Sequence, residues 1–478
     1  MPRKAVVRAA ALTLKGLCFP AYRGFVNSLS DPRAAQDKVL RGVVADLSRT
    51  AYGRSFGIEG CEDYAGFAAK IPVTDYDKLE PWIERQVTTR LGVITPHRVV
   101  HVEPTSGSSG IAKQIPYTKP LLAEFSRMFR IWAYDLLAHH IAPETGRIFM
   151  SVSAAQGEGF ADDRSYLPAP LNWLLSPFLL MPPRDMHGLA MALAAAKDLE
   201  VISVWSPSYL LAVIEYLEHL GITPHWPRLK LISCWDSALA APLAEKLRSM
   251  FPGVLVQGKG LLATEGPLTV PLAGGYAPLA GSVFFEFEMP DGSIRRLHEL
   301  RAGERAEVIV SQRGGLTRYR LGDIVEAGAA LRGTPSLRFL GRSKTCDLAG
   351  EKLNEVFVRE ALSPLLEGQF FLLAPLTRGY VLLAENPPAE IAAQAEAALS
   401  SAYHYGLARK TGQLMPLEVR KVGGLASRTH AFQQSRGMKA GNIKDSPLMT
   451  DPFLARRLLE YLSVAPDTVP RPASRTAA

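Results

Sequence analysis

The alternation of apolar and polar residues divides the chain into a helical N-terminal part and a longer part in which strands and helices alternate. Up to about residue 90, apolar residues recur at intervals of three and four, which predicts helices at 34–47 and 79–86. From Arg147 onward, short apolar runs alternate with amphipathic stretches. The predicted strands are 148–152, 201–205, 229–234 and 254–257, and the predicted helices are 189–199, 208–220 and 239–250. This order predicts a mostly parallel sheet with helices on both faces.

The pattern changes twice more towards the C-terminus. Residues 282–288 and 307–312 are β-branched or aromatic at alternating positions, which predicts antiparallel strands. After Arg342 a smaller mixture of helices and strands follows. We therefore expect an α/β protein with a large N-terminal domain, residues 1–340, and a smaller α+β domain, residues 341–478.

Composition and charge indicate an ordinary globular protein of 478 residues with 47% hydrophobic residues. The net charge of +8 fits either a basic surface or attraction to a polyanionic substrate such as a nucleoside triphosphate. No Lys/Arg block with interleaved aromatic residues predicts nucleic-acid binding. The four cysteines form no CxxC pair, which favours a reducing compartment. Lys15 interrupts the apolar N-terminal stretch and prolines break the run 171–183, so we expect a cytoplasmic protein without a membrane span.

A stretch rich in hydroxyls and glycine between two predicted strands is a candidate phosphate-binding loop. The flanking strands are 98–102 and 114–118, and Lys113 ends the stretch. Its central residues are Thr105, Ser106, Gly107, Ser108, Ser109 and Gly110. Glycines let the backbone approach an anion, amides and hydroxyls donate to phosphate oxygens, and the lysine adds a charge. The stretch is neither a Walker-type P-loop nor a nucleophile elbow. Taken alone, such a turn is more often an ordinary loop.

Three later segments carry chemistry that complements an anion-binding loop. Glu265 is suited to Mg²⁺, Asp323 on a predicted turn is suited to accept hydrogen bonds from ribose hydroxyls, and Arg342 can donate to phosphate. Trp235 and Ser237 follow a predicted strand, at the edge where parallel sheets bind ligands. Each residue alone is also compatible with a surface or turn position. Their order and spacing together favour one nucleotide site.

The order TSGSSG…K, ATEG, YRLGD and Gly-Arg resembles the acyl-adenylate-forming superfamily. The stretches VTDYDKLEPWIE (73–84), GLLATEG (260–266) and GEKLNE (350–355) resemble its auxin-responsive acyl-acid amido synthetase branch, and the resemblance covers about residues 65–450. It implies that 105–110 is the phosphate loop and that Thr264 and Glu265 hold the AMP phosphate and Mg²⁺. It also implies that Asp323 holds the ribose and that Arg342 is a hinge residue contacting nucleotide.

The resemblance is less direct at three places. Lys444 is implied to be the lysine of the small domain that reaches the adenylate, with Lys439 as a competing candidate. Leu261 and Leu262 stand where many superfamily members have an aromatic residue near adenine, so aliphatic groups or Trp235 would pack there instead. Lys344 stands where the broader superfamily has a hinge aspartate.

The resemblance implies an ATP- and Mg²⁺-dependent ligase that activates a small carboxylic acid as acyl-AMP and transfers the acyl group to an amine or amino acid. Glu265, Arg342 and Lys444 would be its catalytic residues. We expect the acyl pocket to be walled by the helix 119–140 and the segment 203–209, although the aromatic stripe of that helix is more simply a core. Two alternatives stay open: a thiol acceptor, which would give an acyl-CoA ligase, and an inactive nucleotide-binding scaffold.

Overall fold

The chain forms two compact units, Met1–Ser343 and Lys344–Ala478. The computed structural model describes residues 2–61, 63–104, 113–150, 174–183, 185–343, 345–438, 443 and 445–463. Each unit is described below by itself.

The first unit begins with helices whose starts are set by local capping. The side chains of Asp31, Asp75 and Thr118 each accept a hydrogen bond from the backbone amide three residues on. The helices are α1 (Pro2–Ser30), α2 (Pro32–Leu47), α3 (Ala51–Ser55), α4 (Tyr64–Lys70), α5 (Tyr76–Thr89), α6 (Lys119–Asp135), α7 (Met186–Ala195), α8 (Pro207–His219) and α9 (Ala240–Met250). The predicted helix 119–140 is therefore confirmed in its first 17 residues, after which Leu136–His140 forms a π-helical turn.

The N-terminal helix α1 is long and apolar. Among the described residues it alone has the length and composition of a membrane span, over Lys4–Ser30, and 11% of its most apolar window is buried. A core helix and a signal sequence share these properties. In the structure, Phe25 and Leu29 of α1 are buried in a cluster with Met128 and Ile131 of α6.

The strands of the first unit form one parallel sheet, one antiparallel sheet and several short hairpins. They are β1 (Val99–Pro104), β2 (Gln114–Thr118), β3 (Arg147–Met150), β4 (Leu179–Leu180), β5 (Leu199–Ser203), β6 (Leu231–Cys234), β7 (Leu255–Gly258), β8 (Leu262–Ala263), β9 (Gly266–Pro267), β10 (Thr269–Leu272), β11 (Gly275–Pro278), β12 (Phe284–Glu288), β13 (Ile294–Arg296), β14 (Arg305–Ser311), β15 (Tyr319–Leu331) and β16 (Thr334–Arg342).

The parallel sheet confirms the predicted α/β fold. Its described strands lie in the order β4-β3-β5-β6-β7, and every neighbouring pair is parallel. One boundary was wrong: the predicted helix 189–199 ends at Ala195, and Leu199 already begins β5. All five residues of β5 are buried although its sequence, LEVIS, includes Glu200 and Ser203, so the apolar pattern does not mark where the helix ends and the strand begins.

The antiparallel sheet has the order β13-β12-β14-β15-β16 and carries the largest core of the unit. Phe284, Phe285 and Phe287 of β12 are fully buried in it. Gln36 of α2 joins helices to sheet, because its amide donates to Ala280 O and Val283 O, both at 2.7 Å. The predicted antiparallel strands at 282–288 and 307–312 are thus confirmed, with shifts of a few residues at their ends.

The second unit is a smaller α+β structure. Its described helices are α10 (Glu355–Leu362), α11 (Ile391–Ser400), α12 (Tyr403–Lys410), α13 (Leu425–Ser435) and α14 (Pro452–Ser463). Its described strands are β17 (Thr345–Cys346), β18 (Leu353–Asn354), β19 (Phe371–Pro375), β20 (Tyr380–Ala384) and β21 (Glu418–Lys421). Strand β20 pairs antiparallel with β19 and parallel with β21. Its core includes Leu372, Val381, Phe432 and Leu458.

Candidate active site

Glu265 lies at the tip of a tight hairpin. Strands β8 and β9 pair antiparallel with Ala263 opposite Gly266, so Thr264 and Glu265 form the connecting turn. Two buried side chains hold the backbone of this turn: Tyr117 Oη donates to Thr264 O at 2.8 Å, and Gln312 Nε2 donates to Glu265 O at 3.0 Å. Because these two hydrogen bonds fix the backbone of the turn, the Cα atom of Glu265 has a defined position.

Lys113 lies against two tyrosine side chains. Lys113 Nζ donates to Tyr319 Oη at 3.3 Å and lies 5.3 Å and 5.9 Å from the ring centroids of Tyr76 and Tyr319. Burial, followed by the negative charge of Glu265, raises the pKa of Tyr319 well above its ordinary value. The phenol therefore stays protonated beside the Lys113 ammonium.

Asp323 and Arg342 lie side by side on adjacent strands. The two residues are register partners in β15 and β16, with Arg342 Nε 3.8 Å from Asp323 Oδ1. The side chain of Asp323 is 7% exposed and that of Arg342 is 28% exposed. The predicted turn at Asp323 was wrong, because the residue lies inside β15. Gly322, with φ of 80°, and a register shift after Ile324 make the strand irregular here. This irregularity explains why the local sequence looks like that of a turn.

A short parallel bridge explains why the segment before α5 matters for this site. Thr74 N donates to Arg318 O at 3.0 Å, and Arg320 N donates to Thr74 O at 2.8 Å. This bridge holds Tyr76 near Tyr319, so both rings can surround Lys113. Sequence reasoning missed four residues of the site: Tyr76, Tyr117, Gln312 and Tyr319. Tyr76 and Tyr319 lie within stretches that were already noted, VTDY and YRLGD, whereas Gln312 carried no signal of its own.

Trp235 and Ser237 lie at the carboxyl edge of the parallel sheet, as predicted from their place after a strand. Trp235 N donates to Trp205 O at 2.8 Å, and the two indole rings are 5.7 Å apart. Ser237 Oγ donates to Asp236 Oδ1 at 3.3 Å. The next residue, Ala238, has φ of 55°, a left-handed conformation that a non-glycine residue adopts at some cost in free energy.

Several predicted site residues lie outside the described residues: the loop Thr105 to Gly110, Lys344, and the two candidate lysines Lys439 and Lys444. The strands that flank the loop are described, and they pair antiparallel with Pro104 opposite Gln114. Across the described ranges no three His, Cys, Asp or Glu residues cluster as metal ligands do. Mg²⁺ does not need such a cluster, because it is often bound by one or two carboxylates together with substrate phosphates. The carboxylate of Glu265 therefore fits the role of a Mg²⁺ ligand by its donor chemistry.

Glu307 lies close to the Asp323 strand and titrates unusually. It accepts a hydrogen bond from Ser343 Oγ at 2.9 Å. Burial raises the pKa of Glu307 above its usual 4.5, helped by the charges of Glu288 and Asp323. The stability that this carboxyl contributes is therefore present below its unfolded pKa and is lost as the pH rises through the raised folded pKa.

We expect Glu307→Gln to raise the free energy of unfolding at pH 7 and to leave it unchanged at pH 4, where the carboxyl is neutral in the folded protein. Urea unfolding at several pH values measures this. Glu326→Gln in the neighbouring β15 is the control and should lower the free energy of unfolding at pH 7, because the hydrogen bond from Arg338 lowers the pKa of Glu326. A Glu307→Gln protein that is destabilised at pH 7 would contradict the assignment.

Comparison with known proteins identifies the fold first. A solved AtGH3.15 acyl acid amido synthetase in complex with 2,4-DB matches with a TM-score of 0.77 at 19% identity, over 94% of this chain and 96% of that chain. A 2-hydroxyisobutyryl-CoA ligase in a postadenylation state matches with a TM-score of 0.56 at 15% identity, over 95% of this chain and 91% of that chain. The fold is therefore that of the acyl-adenylate-forming ligases.

The family follows from the sequence. The profile of the GH3 family N-terminal domain matches residues 21–221, and that of the GH3 family central domain matches residues 276–342. A probable indole-3-acetic acid-amido synthetase of Oryza sativa subsp. japonica is 21% identical over 431 residues, 66% of this chain and 70% of the relative. A jasmonoyl–L-amino acid synthetase of the same plant is 22% identical over 456 residues, 74% of this chain and 78% of the relative. The chain belongs to the GH3 family, which confirms the resemblance.

Proposed function

We propose that the protein is an ATP-dependent acyl-acid amido synthetase. The observation that carries the proposal is the position of Lys113 at the hydroxyl of Tyr319, the residue that begins the strand in which Asp323 lies beside Arg342. These cations, with Glu265 on a turn held by Tyr117 and Gln312, suit a site that binds a polyphosphate together with a divalent cation. The names of the relatives, amido synthetases for indole-3-acetic acid and for jasmonic acid, support an amino acid as the acceptor.

The reaction has two steps. In the first, a carboxylate oxygen of the acid forms a bond to the α-phosphorus of ATP, and the bond to the pyrophosphate oxygen breaks. In the second, the amine nitrogen attacks the acyl carbon, loses a proton, and displaces AMP. Both steps need charge neutralisation and close positioning of the reactants, so the chain can act without forming a covalent intermediate of its own.

Each candidate site residue has a proposed role that suits the chemistry of its side chain. We propose that the amides and hydroxyls of 105–110, with Lys113, hold the phosphates, and that Thr264 contributes a hydroxyl. The carboxylate of Asp323 would accept the ribose hydroxyls, and Arg342 beside it would orient that carboxylate and donate to the nucleotide. Trp235 and Ser237 would contact the base side of the nucleotide, and Lys444 would donate to the adenylate. Mg²⁺ held by Glu265 would supply neutralisation of phosphate charge.

The division of the chain into two compact units supports a separate role for each unit. We propose that residues 1–340 bind ATP and the acyl substrate, and that residues 341–478 form a mobile domain that turns about Arg342. We also propose that the enzyme works in the cytoplasm on a small acid and an amine, without a membrane span and without nucleic acid. A thiol acceptor would give a thioester by the same first step.

The test is acid-dependent exchange of pyrophosphate into ATP with Mg²⁺, over a panel of aryl, indolyl and aliphatic carboxylic acids. We expect one class of acid to support exchange, and a panel of amino acids then to release AMP and form an amide. Release of AMP with coenzyme A in place of amino acids would assign the thioester reaction. ATP binding without exchange for any acid would overturn the proposal in favour of a nucleotide-binding scaffold.

A further inference from the structure

The side chain of Gln312 links two turns of the first unit. Its Nε2 donates to Glu265 O at 3.0 Å, and its Oε1 accepts from Gly314 N. Gln312 is 4% exposed, so water competes little for either hydrogen bond. The backbone position of Glu265 therefore depends on the turn 312–315, to which Gln312 belongs.

The turn 312–315 packs closely against the segment that leads into β1. Gly315 has φ of 113°, and a Cβ atom at this position would lie 3.0 Å from Ile94 O, so the close approach requires glycine. Thr95 Oγ1 donates to Arg313 O at 3.4 Å. These contacts hold the turn through its backbone.

The side chain of Arg313 anchors the same turn to helix α2. Arg313 Nε donates to Asp46 Oδ2 at 2.9 Å, and His97 Nε2 lies 2.9 Å from the same oxygen. The side chain of Asp46 is 9% exposed and that of Arg313 is 43% exposed. Burial raises the pKa of Asp46, but the hydrogen bonds with Arg313 and His97 outweigh burial and hold the pKa below its ordinary value. Asp46 is therefore ionised at neutral pH and pairs with Arg313.

A continuous set of bonds thus leads from α2 to Glu265. The carboxylate of Asp46 binds Arg313. Gln312 directly precedes Arg313 and donates to Glu265 O. Because a half-exposed ion pair contributes little to global stability, its removal should loosen the turn 312–315 while the fold persists. The hydrogen bond from Tyr117 would then remain as the other support of the Glu265 turn.

We propose that Asp46 and Arg313 are positioning residues for Glu265, because their ion pair fixes the turn from which Gln312 reaches Glu265 O. The inference rests on the proposed function, in which the carboxylate of Glu265 holds Mg²⁺. Mg²⁺ demands near-ideal coordination geometry, so a carboxylate on a loosened turn binds it less well. Asp46 and Arg313 act through Gln312 and take no part in the bond changes.

The experiment compares the wild type with Asp46→Asn, Arg313→Gln and the conservative variant Arg313→Lys. Arg295→Gln is the matched control: Arg295 donates to Glu304 at 2.7 Å and is 35% exposed, close to the exposure of Arg313. Hydrogen–deuterium exchange of the peptide 262–267, without ligands, reports the rigidity of the Glu265 turn. Pyrophosphate exchange at fixed ATP and acid gives the Mg²⁺ concentration for half-maximal rate, and thermal unfolding reports the fold.

We expect Asp46→Asn and Arg313→Gln to speed hydrogen exchange within 262–267 and to raise the Mg²⁺ requirement by at least about tenfold. The rate at saturating Mg²⁺ should stay close to that of the wild type, a separation that general destabilisation does not produce. Arg313→Lys, which retains a cation for Asp46, should recover most of both properties. Arg295→Gln should behave as the wild type.

Unchanged hydrogen exchange at 262–267 in Asp46→Asn and Arg313→Gln would overturn the proposal. Faster hydrogen exchange without a higher Mg²⁺ requirement, or an equal rise of that requirement in Arg295→Gln, would also overturn it. If Arg313→Gln does not fold, Asp46→Asn decides the matter, because asparagine keeps the size of the side chain and one acceptor oxygen.

The two readouts separate this inference from the proposed function, since hydrogen exchange needs neither ATP nor acid. Normal pyrophosphate exchange in a wild type whose variants show no faster hydrogen exchange would retain the amido synthetase and remove the role of Asp46 and Arg313. Faster hydrogen exchange in both variants, without pyrophosphate exchange in any protein, would retain the link between the two turns and remove the proposed reaction.

Discussion

Replacing Glu265 by glutamine is expected to lower acid-dependent pyrophosphate exchange by at least about 10³-fold while the midpoint of thermal unfolding stays within about 1 °C of the wild type. The turn that carries Glu265 is held through its backbone, by Tyr117 at Thr264 O and by Gln312 at Glu265 O. Neither of these hydrogen bonds involves the carboxylate, so both supports of the turn remain after the substitution. Glutamine keeps the size of the side chain but binds Mg²⁺ poorly.

The matched control for this experiment is Glu245→Gln on α9. Glu245 is 70% exposed and pairs with Arg248 one turn away, so its loss should leave both exchange and stability unchanged. Single-turnover measurement of acyl-AMP formation at saturating ATP shows whether the defect lies in the first step. A Glu265→Gln enzyme with near-normal exchange would remove Glu265 from the site.

Replacing Arg318 by methionine is expected to cost about 3–5 kcal/mol of unfolding free energy. Arg318 Nη2 donates to Glu286 Oε1 at 2.8 Å, and the two side chains are 7% and 1% exposed. Arg318 Nη1 also donates to Ala68 O and Ile71 O, which ties α4 to the sheet. The substitution leaves a buried carboxylate without its cation, and this uncompensated charge dominates the loss.

Urea unfolding of single and double variants tests this prediction. Because Glu286→Gln removes the charge that Arg318→Met leaves behind, the double variant should be more stable than the sum of the single losses predicts. Arg338→Met is the control: its pair with Glu326 lies in the same sheet, but Arg338 is 58% exposed, so its loss should cost about 0–1 kcal/mol. Losses of equal size for Arg318 and Arg338 would contradict the role of the buried pair.

The buried pair also has a consequence for the site. Arg318 has φ of 44° and immediately precedes Tyr319, whose hydroxyl accepts from Lys113. Its backbone oxygen accepts from Thr74 N, so the same residue connects the core, the segment before α5 and the start of β15. A destabilised Arg318 variant should therefore lose exchange at temperatures below its unfolding midpoint, since Tyr319 would lose its fixed position.

Neighbours in sequence fix the local helices and strands, and the residue types predict the kind of chemistry. The capping residues Asp31, Asp75 and Thr118 and the buried apolar runs of the parallel strands depend on neighbours in sequence, so their pattern is visible without coordinates. The residue types at Lys113, Glu265, Asp323 and Arg342 likewise indicated phosphate, metal and ribose binding. Periodicity erred where a strand is buried on both faces, as at β5, and turn chemistry erred at Asp323, where a glycine disturbs a strand.

Which side chains come into contact depends on the packing of segments that are distant in sequence. Lys113 and Tyr319 are 206 positions apart, and Trp132 and Gln257 are 125 apart, yet each pair shares a hydrogen bond. Tyr117 and Gln312 look ordinary in sequence, because their roles depend on partners that only the packing of sheets and helices brings near. Burial creates a further property, the raised pKa of Tyr319, which exists only once water is excluded around its hydroxyl.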